Sequence, residues 1–186
     1  MLFRSKERAG LSNILVGLGW DEAKPKLGLF SSKKKDIDCD AFALLLQNGK
    51  LVDKNDIIYF NNRVHRSEAI RHMGDNLTGA GEGDDEQILI NLSQIPAAYD
   101  RIIIAANIYE ADKRSQHFGM IKNAFIRLVD GRDNKEMCIY NLTDDYGHMT
   151  AIIFGEVYRR DGEWKFGAIG QGTKDLSISE FSRRYI

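Results

Sequence analysis

Cysteine and proline are scarce in this sequence, at two each in 186 residues. Cys39 and Cys138 stand far apart, with no Cys-x-x-Cys pair. Without an export signal, both are expected to be reduced and buried. No apolar run approaches the ~20 residues of a membrane-spanning helix. The basic residues within 1–10 are not followed by the apolar stretch of a secretory signal, so a cytoplasmic location is expected. A formal net charge of −1 argues against a general binder of nucleic acid or of anionic membranes. Catalytic signatures are missing too: there is no Gly-x-Ser-x-Gly and no P-loop. His65, His72, His117 and His148 show no metal-ligand spacing and read as surface or packed residues.

With 43 % hydrophobic residues, the chain can bury the core of one domain, residues 1–186. Frequent Gly, Asn and Asp turns separate short β-branched and aromatic segments, which is the pattern of strands. Strands are expected over 12–20, 36–46, 56–60, 101–109, 124–129, 136–141, 149–159 and 164–170. Residues 70–73 lead into a loop, and 87–92, apolar at both parities, read as a strand covered on both faces. One or two helical turns fit 110–118, and a short helix fits 176–185, with Ser177 or Ser179 as its N-cap. An all-β sandwich of mostly antiparallel strands is the expected fold, with short peripheral helices and acidic loops at one end. Trp20, Trp164, Phe125, Phe154 and Phe166 read as core, and Arg159-Arg160 and Arg183-Arg184 as solvated basic pairs.

The stretch 74–86 (GDNLTGAGEGDDE) holds five acidic side chains, an asparagine, four glycines and no basic residue. Its glycines allow sharp bends and close presentation of carbonyls. Two carboxylates about 4 Å apart repel by roughly 4 kcal/mol at an effective dielectric near 20. A hard divalent cation relieves that repulsion, since calcium takes ~6–8 oxygen ligands. A second acidic element, Asp36-Ile37-Asp38-Cys39-Asp40, puts Asp36, Asp38 and Asp40 on one strand face, continued by Phe42, Leu44 and Leu46. It is not an EF-hand, because Ala41 and Gln47 stand where that loop needs Gly and Glu. Residues 79–84 fail the dinucleotide fingerprint, since Asp84 replaces its last glycine. Such donors make an oxygen site rather than a zinc or copper site.

The segments Gly17-Leu18-Gly19-Trp20-Asp21, Asp36-Ile37-Asp38-Cys39-Asp40-Ala41 and Tyr59-Phe60-Asn61-Asn62 resemble the TerD family of tellurium-resistance and general-stress proteins. So do Gly74-Asp75-Asn76-Leu77-Thr78-Gly79, Gly83-Asp84-Asp85-Glu86, Phe154-Gly155-Glu156-Val157-Tyr158-Arg159 and Gly162-Glu163-Trp164-Lys165-Phe166. The resemblance runs in order from about residue 13 to 173, leaving 1–12 as an atypical N-terminus and 174–186 as a short C-terminal helix. Residues 1–10 lack the Ser-Leu-x-Lys-Gly-like opening strand of the family, which leaves one sheet edge open to question. The connection 24–35 is unusually basic.

The resemblance implies a β-sandwich holding two adjacent calcium ions. Its ligand set would be Asp36, Asp38, Asn62, Asp75, Asn76, Glu82, Asp84, Asp85 and Glu86, with carbonyl help near Gly83 and Asp40 behind them. It implies a non-enzymatic binding or scaffold module tied to tellurite and chemical-stress resistance. Its partners would be unidentified proteins, other stress-response or membrane-associated proteins among them. The alternative is a metal-dependent hydrolase or phosphotransfer enzyme, whose substrate-side cations would come from residues 33–35 and His72.

Overall fold

The computed structural model describes residues 2–3 (backbone only), 10–21, 37–74 and 83–186. Two antiparallel sheets stack face to face. Sheet A contains β1 (Leu2–Phe3), β2 (Asn13–Asp21), β5 (Ile70–His72), β6 (Glu86–Asn91), β8 (Lys122–Asp130) and β9 (Lys135–Asn141). Its spatial order is β1-β9-β8-β2-β6-β5. Sheet B contains β3 (Cys39–Leu46), β4 (Ile57–Ile58), β7 (Arg101–Ile108), β10 (Ala151–Arg160) and β11 (Glu163–Thr173), in the order β11-β10-β7-β3-β4. Among the described residues, three short α-helices lie at the periphery: α1 (Ala111–Arg114), α2 (Leu142–Asp145) and α3 (Ile178–Ser182).

The core follows from strand alternation. In β2, Ile14, Val16, Leu18 and Trp20 face inward; from sheet B, Cys39, Ala41, Ala43, Leu45, Ile102, Ile104 and Ala106 meet them. The opposite parity of sheet B is also buried. Phe42, Leu44, Leu46, Ile103, Ala105 and Ile153 form a second cluster under Phe181 of the C-terminal helix. Phe42 and Phe181 meet edge to face, with ring centroids 4.9 Å apart. That cover explains why β3 is buried at every residue although its sheet is antiparallel. A register shift between Ile153 and Gly155 resets the parity of β10, so Phe154 and Val157 both face the main core.

Several expectations change. β6 is buried on one face only, with Leu89 39 % exposed on the other, so its mixed composition did not mean double cover. The edge position beside β9 is taken by β1, where Leu2 pairs with Ile139 and Phe3 with Cys138, despite the atypical opening sequence. Helix α2 was not expected; Asn141 caps it by accepting from the Asp144 N–H at 3.1 Å. Ser177, rather than Ser179, caps α3 through a hydrogen bond from the Glu180 N–H. Phe125 and Phe166 are only partly buried, Phe166 packing against the main core. The basic pairs are only partly solvated. Arg159 lies over the Trp164 ring at 4.5 Å, and Arg184 forks onto Asp175 at 2.8 and 3.0 Å.

Candidate metal site at the acidic end

The acidic end is assembled where β2, the start of β6 and the start of β3 come together. Pairing between β2 and β6 ends at Leu18 and Glu86. Residues 83–85 then cross the outer face of sheet A, directly over the two glycines of β2. A Cβ on Gly17 would lie 2.3 Å from the Asp84 carboxylate. A Cβ on Gly19 would lie 2.4 Å from the Gly83 carbonyl oxygen and 2.6 Å from the Phe125 ring. The Gly-Leu-Gly spacing thus puts Leu18 in the core and clears the opposite face for the acidic segment. Gly83 itself has φ +95°, a conformation open to glycine.

Each described acid has its own environment. Arg127, paired across from Gly17, grips Asp84 with Nε at 2.8 Å from Oδ1 and a terminal nitrogen at 3.0 Å from Oδ2. Gln87 donates to the same carboxylate at 3.2 Å. The Asp84 charge is therefore already balanced by a guanidinium. Asp85 fastens the segment to β2: its N–H donates to the Leu18 carbonyl at 2.8 Å, and its Oδ2 accepts from the Trp20 N–H at 2.8 Å. Burial raises the Asp85 carboxyl above the ordinary carboxylate range against that hydrogen bond, with Asp84 and Asp21 adding like charge. Asp84 and Asp85 line a cleft of about 250 Å³ with Met73, Gly74 and Gln87.

Glu86 has inward parity and reaches across the sandwich. Its Oε2 accepts the Ala41 N–H at 2.7 Å, on the side of β3 that the short β4 leaves open. His72 Nε2 lies 3.5 Å from the same oxygen, and both side chains are fully buried. Because Gly74 donates its N–H to His72 Nδ1 at 3.3 Å, the neutral ring carries its proton on Nε2, facing Glu86. His72 is thus a packed residue and no substrate-side cation.

Asp38 and Asp40 flank Cys39 at the head of β3, 7 % and 2 % exposed. The Cys39 thiol reports their crowding. Burial raises it well above its usual range, and the charges of Asp40, Glu86, Asp38 and Asp85 each raise it further. Four carboxylates from both sheets therefore act on one buried atom. Cys138 is also buried, which pushes its thiol up to about 11.

Of the expected ligands, Asp38, Gly83, Asp84, Asp85 and Glu86 gather at this end. Asp36, Asp75, Asn76 and Glu82 lie outside the described residues, as do 33–35 and the rest of the basic connection 24–35. Asn62 lies in its own turn, where its side-chain NH2 donates to the carbonyls of Asn55 and Ile57 at 3.1 and 2.8 Å. Among the described residues no three His, Cys, Asp or Glu side chains converge closely enough to chelate an ion. Sequence reasoning missed Arg127 and Asp21. Only the strand register sets Arg127 across from Gly17, so no local motif marked it.

Compared with known proteins, the chain matches the TerD domain over residues 4–185. It is 47 % identical over 186 residues to stress response protein SCP2 of Bacillus subtilis (strain 168), covering 98 % of this chain and 94 % of that protein. It is 44 % identical over 169 residues to tellurium resistance protein TerD of Serratia marcescens, covering 90 % and 84 %. Its fold matches the crystal structure of a homologue of telluride resistance protein (TerD) from Streptomyces coelicolor A3(2), with TM-score 0.76 and 20 % identity over 91 % of this chain and 95 % of that one.

Proposed function

The chain belongs to the TerD family, and from that premise we propose that its acidic end binds calcium and that the protein is a non-enzymatic stress-response module. The observation that carries this reading is how the fold brings segment 83–86 to the head of β3: Asp85 is fastened to Leu18 and Trp20 of β2, and Glu86 reaches the Ala41 N–H, next to Asp38 and Asp40 in the chain. A divalent cation would offset the repulsion among carboxylates that the fold brings to this end. The donors are all hard oxygens, which suits calcium over zinc or copper.

On this reading Asp38, Asp85 and the Gly83 carbonyl would be the described oxygen groups holding the ion, while Arg127 grips Asp84 and the Ala41 N–H donates to Glu86. A complete shell then requires Asp75, Asn76, Glu82 or Asp36. The bound ion would supply charge neutralisation and tie the loop to both sheets. Thiol chemistry on tellurite is disfavoured, since both cysteines are buried with raised pKa values and the thiolate is the reactive form. Stress resistance on this reading passes through protein partners that sense the calcium-loaded end. Its cellular setting would be the cytoplasm.

Thermal unfolding of chelator-stripped protein, with calcium and with magnesium as control, tests this directly. At 100 times its dissociation constant a ligand adds about 2.7 kcal/mol per site, and each kcal/mol moves Tm by roughly 2–4 °C in a domain of this size. A rise of about 5 °C or more with calcium and little with magnesium is expected. No rise with either ion would overturn the reading. Asp85→Asn sharpens it. A carboxyl whose folded pKa is raised favours the fold below its unfolded value of 3.8, and that contribution is lost as pH rises through the folded value. At neutral pH Asp85 is therefore a burden on the ion-free fold. The variant should raise Tm in chelator and shrink the calcium response.

A further inference from the structure

A cavity of about 590 Å³ opens on the outer face of sheet B, between the strands and the segment carrying α3. Asp40 and Asn107, which are register partners on β3 and β7, both line it. Asn107 is 3 % exposed, and its buried Oδ1 accepts no hydrogen bond. Leaving a buried acceptor unmet is unfavourable, so this atom marks where a donor belongs. Three aromatic rings stand along the wall: Tyr59 meets Phe60 and Phe60 meets Tyr109, edge to face, with centroids 5.3 and 6.0 Å apart. Ile178 of α3 contributes apolar surface opposite.

We propose that this cavity binds an organic cation, a primary ammonium or guanidinium group carried on an apolar body. Cross-strand partners hold their Cβ atoms about 4.5–5.5 Å apart, so one head group with several N–H donors can address both Asp40 and Asn107. Aromatic faces attract cations as well as apolar bodies. An anionic ligand would meet the Asp40 carboxylate. A purely apolar one would leave Asn107 Oδ1 unmet. Asp40, Glu110 and Asp112 line the cavity against Lys54 and Lys113, and Lys113 is paired with Glu110 at 2.7 Å, so acid is in excess along the wall. The volume falls within the range of roughly 300–1,000 Å³ typical of small-molecule sites. The wall is firmly set: Phe181 is buried against Phe42, and the Leu51 N–H donates to the Tyr185 carbonyl at 2.6 Å.

Asp40 stands two residues from Asp38, so the test is run in chelator, where no calcium competes for its charge. The full chain, labelled with ¹⁵N, is titrated with phenethylammonium, with 3-phenylpropionate as the anionic and 3-phenylpropanol as the neutral control. Phenethylammonium should move the amide signals of Asp40, Tyr59, Asn107, Tyr109 and Ile178 saturably, and both controls should bind at least about tenfold more weakly, the loss of one charge-assisted hydrogen bond. Asn107→Leu should weaken phenethylammonium by about tenfold without lowering Tm. Tyr109→Ala, at an exposed ring, provides a second variant and should weaken it severalfold. The proposal is overturned if these amides do not move, if propionate or propanol binds as well, or if both variants bind the ammonium like the parent chain.

Discussion

The outer faces of the two sheets are built on opposite principles. On sheet A the face over β2 is cleared by Gly17 and Gly19 and then covered by charge: Asp84, gripped by Arg127 and Gln87. On sheet B the outer face carries Phe42, Leu44 and Leu46 and is sealed by Phe181. Both faces are covered by chain, yet one cover is polar and directional while the other is apolar. The polar cover delivers carboxylates to a defined place and holds them by named hydrogen bonds. The apolar cover stabilises the fold and leaves beside it a cavity with one unmet acceptor.

Removing the apolar cover should have the largest effect. Phe181→Ala deletes a fully buried ring and is expected to cost about 3–5 kcal/mol in urea unfolding. A cost below about 1 kcal/mol would mean that the C-terminal helix is not an integral part of the core. On the other face, Gly19→Ala drives a methyl into the Gly83 carbonyl and the Phe125 ring. The expected loss is about 2 kcal/mol in chelator, together with weaker calcium binding by calorimetry. A variant with unchanged stability and calcium response would show that residues 83–85 are free to lift away.

Asp175→Asn is expected to cost less, about 1 kcal/mol, because Arg184 is partly exposed. Burial alone would raise the Asp175 carboxyl, but hydrogen bonds from Arg184 and Thr173 outweigh it and hold the group below 3.8. A lowered folded pKa gives stability that is present above the unfolded value and lost as pH falls through the folded one. The difference between parent and variant, followed by urea unfolding, should therefore be full at pH 7 and vanish at the acid extreme. The smallest effect is expected at Leu89, which is 39 % exposed on the outward face of β6. Leu89→Lys should stay within about 0.5 kcal/mol; a large loss would mean that this face is covered after all.

Much of this was legible in the chain. Turn residues between β-branched segments gave the sandwich, and the strands at 13–21, 101–108 and 151–160 lie close to their expected places. Parity joined Asp40 to Phe42, and both do face the outer side of sheet B. Local reading failed where a neighbour distant in sequence decides. Leu89 and Ile90 are both apolar, and only the second sheet determines which of them is buried. The side-chain NH2 of Asn62 ties down its own turn, a contact that the family-like motif alone did not reveal.

The sequence by itself determined the family, the sandwich and the concentration of acid at 36–40 and 74–86, because composition and alternation are local properties. The tertiary structure alone decided which acids are already paired. Asp84 belongs to Arg127 and Glu86 to the Ala41 N–H because strand register carries those donors across the sheet and across the core. It also decided that Asn107 stands beside Asp40 with an acceptor unmet. The physical reason is that a hydrogen bond or an ion pair is settled over a few ångströms in space, and in a sandwich those ångströms join residues far apart along the chain.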